Sequence, residues 1–215
     1  MNDVAQFFLV LVVLINLYML GISRLSACIS AIGLQGVILG VLPLVMPGAE
    51  LNIHAVVLSV GSLVIKGLVI PSLLFRAIRE VRVGRETSPY IGFTTSLALG
   101  MVVVVVSFWV SSSSRLPNPT LCPLIVPVSI SAVITGLLLL VSRRKAVTQV
   151  IGYIVLENGV YIFGLSLAAK MPLLVEMGVL LDVLGGVFVM GIAIEEIREL
   201  FDDMDVEKLA ELKDS

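Results

Sequence analysis

Three ionisable side chains interrupt otherwise apolar stretches of this sequence. Lys66, Glu157 and Asp182 each lie near the middle of a long hydrophobic run. Insertion scales assign Lys or Asp a cost of roughly 2.5–3.5 kcal/mol at such a depth in a membrane, so these residues usually face the interior of a helix bundle, a water cavity or one another. Buried groups of opposite charge that alternate between protonated and charged forms can relay protons, which predicts a proton path. Permanent structural ion pairs are the second interpretation.

The two carboxylates have small or aromatic neighbours at helical spacing. Tyr153 and Tyr161 lie four residues either side of Glu157, so both phenols share its helix face. The face of Asp182 consists of glycines, namely Gly178, Gly185 and Gly186, which allow another helix to approach closely. Both carboxylates are therefore predicted to face protein instead of lipid.

Lys66 also lies on a partly polar face. Ser62 and Ser59 are four and seven residues before it. Pro71 lacks the backbone N–H that would bond the carbonyl of Gly67, so a carbonyl close to Lys66 is predicted to be free for water or for the ammonium group.

Other polar residues are weaker candidates. Glu176, near one end of the last apolar run, is either an exit group for protons or a solvated residue. His54 is interpreted as interfacial, because the sequence has no second histidine to help complete a metal site, and no metal is predicted. Gln35 and Asn16 are predicted to be hydrogen-bond partners between helices. No phosphate-binding glycine loop or nucleophile–base set is found, so the chain is not expected to be an enzyme by itself.

The composition requires a membrane to position these residues. Hydrophobic residues make up 58% of the chain, charged residues 14%, and the mean hydropathy is +1.11. A membrane helix needs about 20 mostly apolar residues. This predicts an all-α integral membrane protein, a bundle of about seven transmembrane helices, at about 4–22, 26–46, 54–76, 92–111, 124–142, 148–169 and 173–195.

The charge pattern predicts an orientation with the N-terminus outside and the C-terminus in the cytoplasm. Most of the 14 Lys and Arg residues fall in the odd-numbered connections and the tail, and such an excess marks the cytoplasmic side. They are Arg24, then Arg76, Arg79, Arg82 and Arg85, then Arg143, Arg144 and Lys145, then Arg198, Lys208 and Lys213. The opposite face has only Arg115 and Lys170.

A family resemblance lies in three stretches of the sequence. They are QVIGYIVLENGVYIFGLSLAAKMPLLVEMGVLLDVLGGVFVMGIAIEEI, IKGLVIP around Lys66, and the terminal DVEKLAELKDS. The sequence resembles component E of hydrogenase-4, a membrane subunit of group 4 nickel–iron hydrogenase and formate hydrogenlyase-type complexes related to respiratory complex I. Its last helices are similar to complex I subunit K and to component C of multisubunit sodium/proton antiporters. The register differs, because the first carboxylate of subunit K lies further from its asparagine than Glu157 does from Asn158.

The resemblance implies a division of the chain and a role. Residues 1–147 would form a five-helix part, 148–197 a subunit K-like helix pair with the buried carboxylates, and 198–215 an acidic cytoplasmic tail. The chain would be a non-catalytic subunit in the cell membrane of a prokaryote, contributing to proton translocation coupled to electron transfer.

The resemblance also implies partners. Antiporter-like membrane subunits, peripheral hydrogenase subunits and lipids are expected, and nucleic acid is not. Nickel–iron and iron–sulfur centres would belong to the partner subunits, and none to this chain. Two alternatives stay open, namely a subunit of a cation/proton antiporter without a redox module and a structural spacer in the membrane arm.

Overall fold

Long apolar runs in a bilayer fold as helices because lipid cannot satisfy exposed backbone N–H and C=O groups. The computed structural model describes residues 2–46, 53–80, 89–113, 122–167 and Gly191. Its helices are α1 (Asn2–Gly21), α2 (Leu25–Val45), α3 (Ile53–Val64), a π-helical segment (Ile65–Val69), α4 (Ile70–Glu80), α5 (Phe93–Ser113), α6 (Ile125–Ser142) and α7 (Ala146–Leu167).

Among the described residues, six helices are long and apolar enough to cross a membrane. They coincide with the first six predicted spans, so the all-α prediction is confirmed for this part of the chain. Apart from Gly191, the seventh predicted span at 173–195 and the acidic tail lie outside the described residues.

The third span is longer than predicted. It runs without interruption through α3, the π-helical segment and α4. Arg76 and Arg79, which the charge pattern assigned to the third connection, therefore lie on α4. A long basic side chain at a helix end can reach the membrane surface, so these charges do not shorten the helix.

The helices pack around α2 and the α6–α7 pair. Among the described helices, α2 contacts α1, the third span and α7, whereas α5 packs mainly against α1 and α6. The outer face of α5 is correspondingly exposed, with Val105 and Trp109 each at 68%. In a membrane this face meets lipid or another protein chain.

Three short segments meet at one end of the bundle, which we call the basic end. Residues 22–24, 89–92 and 143–145 lie there, and the backbone N–H of Tyr90 donates to the carbonyl of Ser142 at 2.9 Å. The guanidinium of Arg143 is buried at this end, donates to the carbonyl of Leu20 at 2.6 Å, and lies 4.3 Å from the ring centre of Phe93. The basic end matches the side that the charge pattern predicts to be cytoplasmic, and the orientation itself stays a prediction.

Candidate functional site

A buried ion pair joins the third span to α7. The Nζ atom of Lys66 lies 3.2 Å from Oε1 of Glu157, and the two side chains are 1% and 2% exposed. Each residue is near the middle of its helix. The pair therefore lies at the depth where an uncompensated charge is most costly.

Two further groups surround the ammonium. It donates to Oδ1 of Asn158 at 3.1 Å and lies 4.9 Å from the ring centre of Tyr161. An ammonium has three N–H donors and no acceptor, so the oxygen of the Asn158 amide must face it. The lysine thus has an anion, a neutral acceptor and an aromatic face as partners.

The π-helical segment determines where Lys66 points. At its end the backbone N–H of Ile70 bonds the carbonyl of Ile65, five residues back instead of four. Pro71 follows directly and cannot donate a backbone hydrogen bond, which accounts for a widened turn at this place. The wider turn therefore rotates the helix face that carries Lys66 relative to the faces of α4.

Glycines of α2 leave room for the third span at this widened turn. A Cβ atom on Gly36 would overlap the carbonyl group of Lys66, and one on Gly40 would lie 2.7 Å from Cβ of Leu63. One on Gly33 would lie 3.2 Å from Cγ of Pro71. The predicted small-residue face of the second span therefore packs against the third span, as close helix approach requires.

Glycines also hold α7 against α6, on the side of α7 that faces away from the third span. A Cβ atom on Gly152 would lie 2.7 Å from the backbone nitrogen of Leu140, and one on Gly159 would lie 2.7 Å from that of Val133. This close backbone contact with α6 leaves the face of Glu157 and Asn158 directed at the third span.

The structure brings together three of the predicted site residues, Lys66, Glu157 and Tyr161. Tyr153 is partly buried on α7 one turn before Glu157. Glu176 and Asp182 lie outside the described residues. Asn158, which accepts a hydrogen bond from Lys66, was absent from the predicted set of site residues, although its position next to a mid-membrane carboxylate pointed to it.

Several buried polar groups within the bundle have no hydrogen-bond partner among the described residues. They include the amides of Asn16 and Gln35, the Nδ2 of Asn158, and the hydroxyls of Ser59 and Ser62. The predicted interhelical hydrogen bonds of Gln35 and Asn16 are therefore not formed within the described part of the chain. Within the same residues, no group of three His, Cys, Asp or Glu side chains is placed to hold a metal ion.

The spans and the buried ion pair define a multi-pass α-helical membrane protein. The chain belongs to the same family as the uncharacterized protein Rv0085 of Mycobacterium tuberculosis, to which it is 30% identical over 191 residues, 88% of this chain and 87% of the relative. It is also similar to hydrogenase-4 component E of Escherichia coli K12 and of Shigella flexneri, at 28% identity over 155 residues, 72% of each chain. No protein-family model and no solved structure matches it.

Proposed function

We propose that this chain is a non-catalytic membrane subunit of a complex I-like membrane-bound hydrogenase and contributes to proton translocation coupled to electron transfer. The observation that carries the proposal is the buried Lys66–Glu157 pair at mid-membrane, in a chain similar to hydrogenase-4 component E. A membrane subunit with no redox role needs no cofactor of its own. Nickel–iron and iron–sulfur centres are assigned to its partners.

The geometry supports proton exchange at Glu157. When this carboxylate takes up a proton, the ammonium of Lys66 loses its anion but keeps the oxygen of Asn158 and the ring of Tyr161. Asn158 and Tyr161 thus hold the lysine side chain in place while the carboxylate exchanges a proton.

The remaining predicted residues extend this site into a path. Asp182 is proposed as the second proton acceptor, with Tyr153 and Glu176 as further members along the route. The chain is placed in the cytoplasmic membrane of a prokaryote, beside antiporter-like subunits and beneath peripheral hydrogenase subunits.

The set of proteins in the native complex tests the assembly. The chain, tagged at its N-terminus, is purified from the native membrane in a mild detergent, and the co-purifying proteins are identified by mass spectrometry. Nickel–iron and iron–sulfur subunits are expected. Recovery of antiporter-like subunits alone would overturn the hydrogenase assignment and support the antiporter alternative.

Carboxamide variants test the proton role. Glu157→Gln and Asp182→Asn should keep assembly and electron transfer but lower the number of protons moved per electron in sealed vesicles. Asp3→Asn, the same chemical change at an exposed position at the start of α1, is the matched control. An unchanged proton-to-electron ratio in both test variants would leave a structural spacer as the function.

A further inference from the structure

Two buried serines of α3 lack the hydrogen bond that six other helical serines in the described part of the chain make. Helical serines elsewhere in the described residues commonly donate to a carbonyl of their own helix, as Ser30, Ser72, Ser107, Ser112, Ser129 and Ser131 do. Ser59 and Ser62, at 2% and 7% exposure, have no hydrogen-bond partner among the described residues. A buried hydroxyl left without a partner is unfavourable, so water is the expected partner.

These two serines continue the polar face of Lys66. They precede it by one and two helical turns, and the rise of 1.5 Å per residue places them about 6 and about 10 Å nearer the start of α3. That start is at the end of the bundle opposite the basic end. Val60 and Val64, on other faces of the same helix, are 54% and 41% exposed. The serines therefore face the bundle interior, whereas the valines face its surroundings.

Gln35 adds a third polar group at the depth of the ion pair. Its neighbour Gly36 lies directly against the carbonyl of Lys66, so α2 and the π-helical segment share this depth. The Gln35 side chain is fully buried, and neither its oxygen nor its nitrogen has a hydrogen-bond partner among the described residues. An amide that both donates and accepts is suited to bind water.

We propose that Ser59, Ser62 and Gln35 bind a chain of water molecules that connects Lys66 with the end of the bundle opposite the basic end. The ligand is water, and the mobile species is the excess proton that such a chain conducts. The presence of water is independent of the hydrogenase assignment, whereas its use as a proton route rests on the proposed function.

Thiol accessibility tests the hydration. Cys28 and Cys122 are first replaced by Ala, and single variants Ser59→Cys, Ser62→Cys, Val60→Cys and Val64→Cys are made in the full chain within native membranes. The probe is Ag⁺, which is small, dissolves in water and does not cross lipid. Blocked thiols are then counted by alkylation after denaturation.

Ser59→Cys and Ser62→Cys should react about tenfold or more faster than the two valine variants, because a thiol ionises and reacts in water but not in lipid. Their reaction should also be faster when Ag⁺ is added from the side opposite the basic end. Equal rates at the serine and valine positions would overturn the water chain.

A second variant tests the proton route. Ser62→Ala removes only the hydroxyl and should slow proton transfer without changing the proteins that co-purify, whereas Ser72→Ala, the same change on the exposed face of α4, should leave proton transfer unchanged. Unaltered proton transfer in Ser62→Ala would overturn the route. A failure of co-purification of hydrogenase subunits with the unmodified chain would instead refute the proposed function.

Discussion

Three different groups replace the hydration shell of the Lys66 ammonium in the middle of a membrane helix. Glu157 supplies charge at 3.2 Å, Asn158 a neutral oxygen at 3.1 Å, and Tyr161 an aromatic face. Removing one member of a buried pair leaves the other charge uncompensated, and this penalty exceeds the net contribution of the pair itself. The energetics of the site therefore depend on both charges being present together.

This coupling leads to a double-mutant prediction. Lys66→Met and Glu157→Gln should each lower the free energy of unfolding by about 3–5 kcal/mol, whereas the double variant should lose clearly less than the sum. The measurement is unfolding of the purified chain in mixed detergent micelles. Additive losses would show that the two residues do not interact in the folded protein.

At the scale of elements, the site depends on how α2 meets the third span. The widened turn of Ile65–Val69 brings its backbone against α2, and only a residue without a side chain fits at position 36. The close approach of α2 and the widened turn therefore requires glycine at position 36. The position of Lys66 is determined by a neighbouring helix as well as by its own.

Gly36→Ala should therefore destabilise the protein by about 1–3 kcal/mol, because the added methyl group must displace the carbonyl of Lys66. It should also impair proton transfer, since Lys66 would be moved away from Glu157. Gly61→Ala on α3 is the matched control: its Cβ atom would meet nothing within 4 Å. Equal behaviour of the two alanine variants, in unfolding and in proton transfer, would contradict the packing argument.

At the scale of the whole molecule, Arg143 joins elements that are distant in sequence. It belongs to the short α6–α7 connection, yet its guanidinium binds the C-terminal end of α1 and lies over Phe93 at the start of α5. A cation is favourable there because the last carbonyls of a helix carry partial negative charge. The sequence pattern placed Arg143 among the basic loop residues, and the structure shows that it is buried.

Arg143→Gln should lower the free energy of unfolding by about 2–3 kcal/mol, since a charged hydrogen bond and a cation–aromatic contact are both lost. Arg144→Gln is the control, because Arg144 is exposed and lies 5.0 Å from the ring centre of Tyr90. That variant should lose about 0.5–1 kcal/mol at most. Similar losses in denaturant titrations of both variants would show that burial of Arg143 contributes nothing.

The helices and the faces of their polar residues were predictable because both follow from local rules. Hydropathy locates a membrane helix, and a period of 3.6 residues assigns Tyr161 to the face of Glu157 and Ser62 to that of Lys66. The π-helical turn was not predicted, although Pro71 indicated disturbed hydrogen bonding close to Lys66. A proline removes a donor but does not specify which of several local rearrangements follows.

Residue type and spacing along one chain were enough to establish that this protein is built from apolar helices, that ionisable residues lie at mid-depth, and that small residues permit close helix contacts. Three facts needed the packed bundle: Lys66 meets Glu157, Asn158 shares the ammonium, and Arg143 is buried. Residues 66 and 157 approach each other through the packing of separate helices, and hydropathy does not encode which helices are neighbours in a bundle.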